Sequence, residues 1–203
     1  MCLSEDTYNT IAAPSPEVLF KDRKSKFYGY AFPLVHEDEI KSILGILRKK
    51  HPSANHFCYA WQIGIDTVSY RANDDGEPKN SAGMPIYRQL QSFGVTNALV
   101  MVARVFGGTK LGVGGLINAY RNTAQLTLEK SIITKGTVEI KFVLEFDYDL
   151  INEVMRMVKR LQLNIISQEM QSSCTMIIAI ARKKSAAVLK EMKAIHRLKI
   201  TPI

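Results

Sequence analysis

Asp74, Asp75 and Glu77 fall within the five-residue run Asp74-Asp75-Gly76-Glu77-Pro78. Carboxylates at that spacing can hold a hard cation such as Mg²⁺ or move protons as general acid and base. The same run also spells a tight turn, with Gly76 in a left-handed position and Pro78 closing it. The calcium-loop spacing is missing, so the turn is the favoured reading and no metal is assigned. His56 and Cys58 sit two apart and share one face of a strand, but no second Cys/His pair completes a zinc spacing. Same-face strand neighbours align poorly as base and nucleophile, so His56 reads as a half-buried histidine making a hydrogen bond. No catalytic residue is assigned on these grounds.

The second chemical feature is Gly107–Gly115, GGTKLGVGG, between an apolar strand and a helix. Glycines let backbone N–H groups turn toward an anion and approach it closely. The following helix adds unpaired N–H groups and the positive end of its dipole. The run lacks the Walker spacing and does not complete GxGxxG, so it is no nucleotide signature. Two readings stay open: an anion site, or glycines that only permit tight strand–helix packing. From Pro78 to Leu128 there is no Asp or Glu, while Lys79, Arg88, Arg104, Lys110 and Arg121 lie in that stretch. Such a segment carries a positive potential over the loop. The expected phosphate-binding residues are Lys79, Arg104, Gly107, Gly108, Lys110, Gly112, Gly114, Gly115 and Arg121. Asp74, Asp75, Glu77 and His56 form a motif to which no role is given.

Several elements must position these groups. Lys26–Leu34 reads as an aromatic-rich strand. His36–Lys50 reads as a helix, with Ile40, Ile43, Leu44 and Leu47 at helical spacing, acids in its first turn and bases in its last. Phe57, Tyr59, Trp61 and Ile63 alternate as one face of a strand; they could stack RNA bases, but a core face is the favoured reading. Thr67–Arg71 suits its hairpin partner, Pro85–Phe93 a short helix, Asn97–Phe106 a buried strand and Leu116–Lys130 a long helix. After Thr137 the pattern restarts as β-α-β-β-α-β: Val138–Phe146, a helical stripe from Leu150 to Leu161, Asn164–Met170, Cys174–Ala181, a helix Ser185–His196 capped by Ser185, and Leu198–Ile203. That order is the ferredoxin-like split βαβ arrangement. The basic helix faces Arg156/Lys159/Arg160 and Lys190/Lys193/Arg197 read as solvated surfaces that could also track phosphates. The expected domains are therefore 1–137 and 138–203.

The 203 residues carry a net charge of +8 and are 46% hydrophobic, a globular composition whose sign favours anionic partners. Three widely spaced cysteines argue against a disulfide scaffold and for a reducing compartment. The start MCLSEDTYNTI is not a signal peptide, and no apolar run nears a membrane span of about 20 residues. A cytoplasmic location is expected.

Asp74–Pro85 (DDGEPKNSAGMP) followed by Val102–Tyr120 (VARVFGGTKLGVGGLINAY) resembles the signature of the IMPACT family. Ser25-Lys26-Phe27, His51-Pro52, His56 and Cys58-Tyr59-Ala60 support the match. Lys79-Asn80-Ser81-Ala82-Gly83 replaces the middle of the family's GEPSGTAG, and Asn118 stands where the family's GLVRAY has arginine. The resemblance implies an α+β protein. Its first domain would have the left-handed βαβ fold of translation-factor domain IV and the GHMP kinases, and its second a ferredoxin-like fold similar to elongation-factor domain V. It implies a non-enzymatic RNA- or ribosome-associated regulator of translation, with RNA or the ribosome and a translation-related protein as partners, and no cofactor. The alternatives are a Mg²⁺-dependent enzyme on a nucleotide or small phosphorylated substrate, and a protein-interaction module of translational control.

Overall fold

The computed structural model describes residues 6–203 and has a mixed α/β, two-unit fold. One compact unit is Tyr8–Gly136; the other is Thr137–Ile203 together with Asp6 and Thr7. In chain order the first unit contains β1 (Thr7–Ile11), β2 (Val18–Asp22), β3 (Ser25–Pro33), α1 (Glu39–Lys50), β4 (His56–Ile63), β5 (Ser69–Asn73), α2 (Gly83–Ser92), β6 (Ala98–Val105), α3 (Gly112–Glu129) and β7 (Ile133–Thr137). β1 pairs with β7 in a small sheet of its own, and the other five strands form a sheet in the order β2-β3-β6-β4-β5. β6 is antiparallel to both neighbours, with Tyr28 opposite Ala103 on one side and Cys58 opposite Val102 on the other.

The apolar run of β6 follows from that central place. Leu99, Met101 and Ala103 face α1, whose Ile40 and Leu47 pack with Tyr30, Phe57 and Trp61. Val100 and Val102 face the opposite side, where α2 and α3 bring Ile86, Leu90, Leu116, Tyr120 and Ala124. A strand covered on both faces has no reason to alternate apolar with polar. Phe57 and Trp61 are core residues on the α1 side, so those two rings are not free to stack bases.

A polar cluster closes the α1 side. Tyr30 donates to Glu17, which also takes Lys50 at 2.9 Å. The Tyr30 proton being used there, His51 Nε2 at 2.5 Å must donate to the phenol oxygen. The Tyr30 hydrogen bond, then Lys50, holds Glu17 below the usual carboxylate range, and burial pushes His51 below its ordinary 6.5. For both groups the unfolded chain binds protons more readily, so both contribute stability that is lost as pH falls through the folded values. Urea midpoints are expected to fall steadily below pH 6.5 and further below pH 4.5. His51→Gln is expected to remove the upper part of that loss; an unchanged profile in the variant would show that His51 is not responsible.

The second unit contains β8 (Glu139–Asp147), a 3-10 turn (Tyr148–Leu150), α4 (Ile151–Arg160), β9 (Asn164–Met170), β10 (Ser173–Ala181), α5 (Arg182–Met192) and β11 (Lys199–Pro202). Its sheet runs β11-β8-β10-β9, antiparallel throughout, with an irregularity in the β9–β10 register at Ile177/Ile178. Phe142, Leu144, Phe146, Met176, Ile178 and Ile180 point to one face and meet Val154 and Val158 of α4 and Val188 and Met192 of α5. Of the basic side chains on this unit, Arg160 pairs with Glu191 at 2.6 Å and Arg197 with Asp147 and Asp149.

Four readings of the sequence need correction. α3 starts at Gly112, so Gly112–Gly115 form its first turn and not the end of a loop; tertiary packing of Leu116, Ala119 and Tyr120 overrides the poor helix propensity of glycine. α1 starts at Glu39, later than expected. α5 starts at Arg182, and Ser185 is no cap: its hydroxyl donates back to the Arg182 carbonyl at 2.7 Å inside the helix. β1, β2 and β7 were not anticipated, being short strands without an apolar alternation to announce them.

Candidate functional site

The β4–β5 hairpin delivers the chain to Asp74 beside the start of α2. Asp74 Oδ1 accepts from the N–H groups of Ala82 and Gly83 at 3.0 and 2.8 Å, and Oδ2 from Asn80 N–H at 2.8 Å. A carboxylate placed there satisfies orphan donors and complements the positive end of the helix. Asp75 turns the other way and takes the Phe57 N–H of β4 at 2.6 Å. Gly76 has φ +86°, the left-handed value expected of it. The turn thus uses its carboxylates to fasten itself to α2 and β4. Among the described residues no group of three or more His, Cys, Asp or Glu is arranged to hold a metal ion.

Glu77 points inward. Its Oε1 takes Arg104 Nη1 at 2.6 Å and the Tyr120 hydroxyl at 2.8 Å. The Glu77 and Arg104 side chains are only 4% and 7% exposed. Arg104 stands on the same face of β6 as Val100 and Val102, its guanidinium carbon 5.5 Å from the ring centroids of both Phe27 and Phe106, and its Nε is buried without a partner. Cys58 Sγ lies 3.0 Å from the Asp74 carbonyl and 3.3 Å from the Tyr120 oxygen. Burial, before the nearby carboxylates, pushes both the Cys58 thiol and the Tyr120 phenol up, so both stay protonated. A thiol so held is neither nucleophile nor metal ligand.

His56 completes the floor. Its Nδ1 lies 2.8 Å from the Asp75 carbonyl, which can only accept. Nδ1 therefore carries the proton, and on a neutral ring Nε2 keeps its lone pair. Gly76 packs against the same ring.

The glycine segment contributes Lys110, Leu111 and Gly112 to one cleft, while Gly107, Gly108, Gly114 and Gly115 stand outside its lining. The Gly107 N–H donates to Ser25 Oγ at 3.2 Å, and that glycine lies against the Lys24–Ser25 backbone. Gly108 has φ +85°. Nothing lies within 4 Å of where a Cβ would sit on Gly108, Gly112 or Gly114, whereas on Gly115 it would meet Leu111. Thr109 and Lys110 are exposed, and Lys110 has no ion pair among the described residues. That cleft has a volume of about 660 Å³. Its lining includes His56, Glu77, Pro78, Arg104, Phe106, Lys110, Gly112 and Val113.

The fold therefore brings the carboxylate motif and the glycine segment into one cleft. Of the expected residues, His56, Glu77, Arg104, Lys110 and Gly112 line it. Lys79 is exposed outside the lining, and Arg121 is exposed and takes the Asn118 side-chain oxygen at 2.9 Å. Asp74 and Asp75 hold the turn behind it. Arg104 is a lining residue, but its charge is committed to Glu77. Sequence reasoning missed Phe106 as part of the site and had Tyr120 only as the last residue of the family signature, with no role. The signal for a buried pair was an arginine with the face parity of Val100 and Val102 at the end of an apolar strand.

The Impact N-terminal domain matches residues 23–128, a span that includes every residue of the cleft. The chain belongs to the IMPACT family. It is 31% identical over 186 residues to an IMPACT family member of Haemophilus influenzae, covering 88% of this chain and 89% of that protein. It is 29% identical to the IMPACT family member YigZ of Escherichia coli, covering 87% of each. A crystal structure described as that of a hypothetical protein matches with a TM-score of 0.77 at 25% identity, over 98% of both chains. In this IMPACT-family chain no helix among the described residues is long and apolar enough to cross a membrane.

Proposed function

We propose that this chain is a non-enzymatic, RNA- or ribosome-associated regulator of translation whose cleft takes phosphate at Lys110 and the neighbouring loop amides. The observation that carries this reading is Lys110, without an ion-pair partner among the described residues, on a cleft that Gly112 also lines with open space where its Cβ would sit. No acidic residue between Pro78 and Leu128 opposes it. Arg121 and Lys79 would extend the positive surface. The reading is also supported by the family's resemblance to adjacent elongation-factor domains. The strand order β11-β8-β10-β9 with its β-α-β-β-α-β succession supports a ferredoxin-like second domain. The five-stranded sheet supports a domain-IV-like first one.

Phosphate binding makes the logarithm of the affinity fall linearly with log salt, with a slope of roughly 0.7–0.9 per neutralised phosphate. Binding of ribosomes or a structured RNA, titrated across salt concentrations, is expected to be measurable at low salt, and Lys110→Ala is expected to reduce the slope by about one. An affinity too weak to measure at low salt, or a slope that Lys110→Ala leaves unchanged, rejects the reading.

A second reading, a Mg²⁺-dependent enzyme on a nucleotide or small phosphorylated substrate, is favoured by His56 Nε2 and Glu77 in the same cleft. Metal-dependent thermal stabilisation by a nucleotide would support it, and a flat screen would count against it.

A further inference from the structure

We propose that the cleft receives an unpaired base, stacked on Phe106, so that the chain prefers single-stranded RNA to duplex. This inference rests on the RNA reading above and adds the kind of RNA that fits. Phe106 lines the cleft and keeps 44% of its surface exposed. The ring is not loose. The Arg104 guanidinium packs on it at 5.5 Å, and Arg104 is in turn fixed by Glu77 and by Phe27, also at 5.5 Å. Phe106 is thus backed by a buried, immobile cation while part of it faces solvent. Such a support costs little entropy when a second planar group arrives, because the ring is already held.

The wall around the ring selects the planar group. Val113, also exposed, adds apolar surface to the same cleft. Lys110 follows Phe106 by four residues, so their Cα atoms are at most about 14 Å apart, within reach of a base and a neighbouring phosphate. An apolar plane beside an exposed cation matches a nucleotide: base on the ring, phosphate on the lysine. His56, another lining residue, keeps Nε2 on its neutral ring as an acceptor for a donor such as a ribose 2′-hydroxyl. Bases inside a duplex present their faces to one another, not to a concave wall. Stacking on an aromatic side chain therefore demands an unpaired nucleotide.

The test uses the full chain and fluorescence anisotropy at low salt. The probes are a labelled oligouridine of about 12 nucleotides and an RNA duplex of equal length, a size near the single-strand site sizes of other folds. Wild type is expected to bind the single strand about tenfold or more tightly than the duplex. Phe106→Ala is expected to erase most of that preference, leaving duplex affinity unchanged, and Phe106→Trp to restore it. Lys110→Ala is expected to weaken both probes alike. Circular dichroism melts of the Phe106 variants establish that they are folded, and Phe106→Trp keeps the support for Arg104. If folded Phe106→Ala binds oligouridine as wild type does, or wild type holds the duplex as tightly, the stacking inference fails. The phosphate reading then survives so long as Lys110→Ala still weakens binding. If wild type binds neither probe but still binds ribosomes at low salt, the stacking inference alone fails; if it binds neither the probes nor ribosomes, both fail.

Discussion

Glu77→Ala is expected to lower the unfolding free energy by about 3–5 kcal/mol, the usual cost of stranding one partner of a buried ion pair. The carboxylate is the Arg104 partner and the acceptor for the Tyr120 hydroxyl. Removing it leaves a buried guanidinium whose Nε already has no partner, and a buried phenol without its acceptor. Both groups then carry a desolvation cost with nothing to offset it. Glu77→Gln keeps an acceptor for Tyr120 but not the charge, and should fall between. The double variant Glu77→Leu/Arg104→Met is expected to recover most of the loss, since apolar replacement of a buried pair is often neutral. Urea denaturation of the four proteins decides it: a Glu77→Ala loss below about 1 kcal/mol would show that water reaches the pair and that it is not truly buried.

Gly107→Ala is expected to cost about 3 kcal/mol or more, at the upper end of overpacking substitutions. A Cβ there would lie 2.1 Å from the Lys24 carbonyl carbon, 2.2 Å from its oxygen and 2.4 Å from Ser25 N. These are backbone atoms and cannot swing away as a side-chain end does. Gly114→Ala is the opposite case. Nothing lies within 4 Å, φ is not positive, and the residue stands in the first turn of α3. Alanine there should stabilise by roughly 0.5–1 kcal/mol. On the RNA reading the same methyl obstructs the approaching backbone, so Gly114→Ala is expected to gain stability and lose RNA affinity together. A variant that gains stability and keeps its affinity would place Gly114 outside the contact. The motif's glycines thus divide: Gly107 is required by packing, and Gly114 is not.

That division could not be read from GGTKLGVGG, because both explanations for a glycine leave the same letter in the sequence. What was legible was periodic. Ile40, Ile43, Leu44 and Leu47 with their flanking charges announced α1, and the unbroken apolar run of β6 announced a strand covered twice. The parity of Phe57 and Trp61 against Cys58 separated the two faces of β4 correctly. β1 and β7 were not legible, since each pairs with a partner distant in the chain, and β2, though paired locally with β3, is a short edge strand without an apolar alternation to announce it. The start of α3 was missed because local propensity speaks against three glycines in one helical turn. In the site, Asp74 and Asp75 were visible as turn residues. The joining of Glu77, Arg104 and Tyr120 was not, because it depends on side chains that three separate elements bring to one point.

The middle position of β6 also dictates when the first unit can form. The hairpins β2–β3 and β4–β5 are local, but the strand that joins them comes after both. Until residues 98–105 have left the ribosome, β3 and β4 each present an unpaired edge, and an open edge is a template for the wrong strand. Tyr28 and Ala103, paired across the sheet, are separated by most of this unit's length. Folding of the unit is therefore a late, long-range event with high contact order, and the nascent chain is most open to mispairing shortly before the glycine segment emerges.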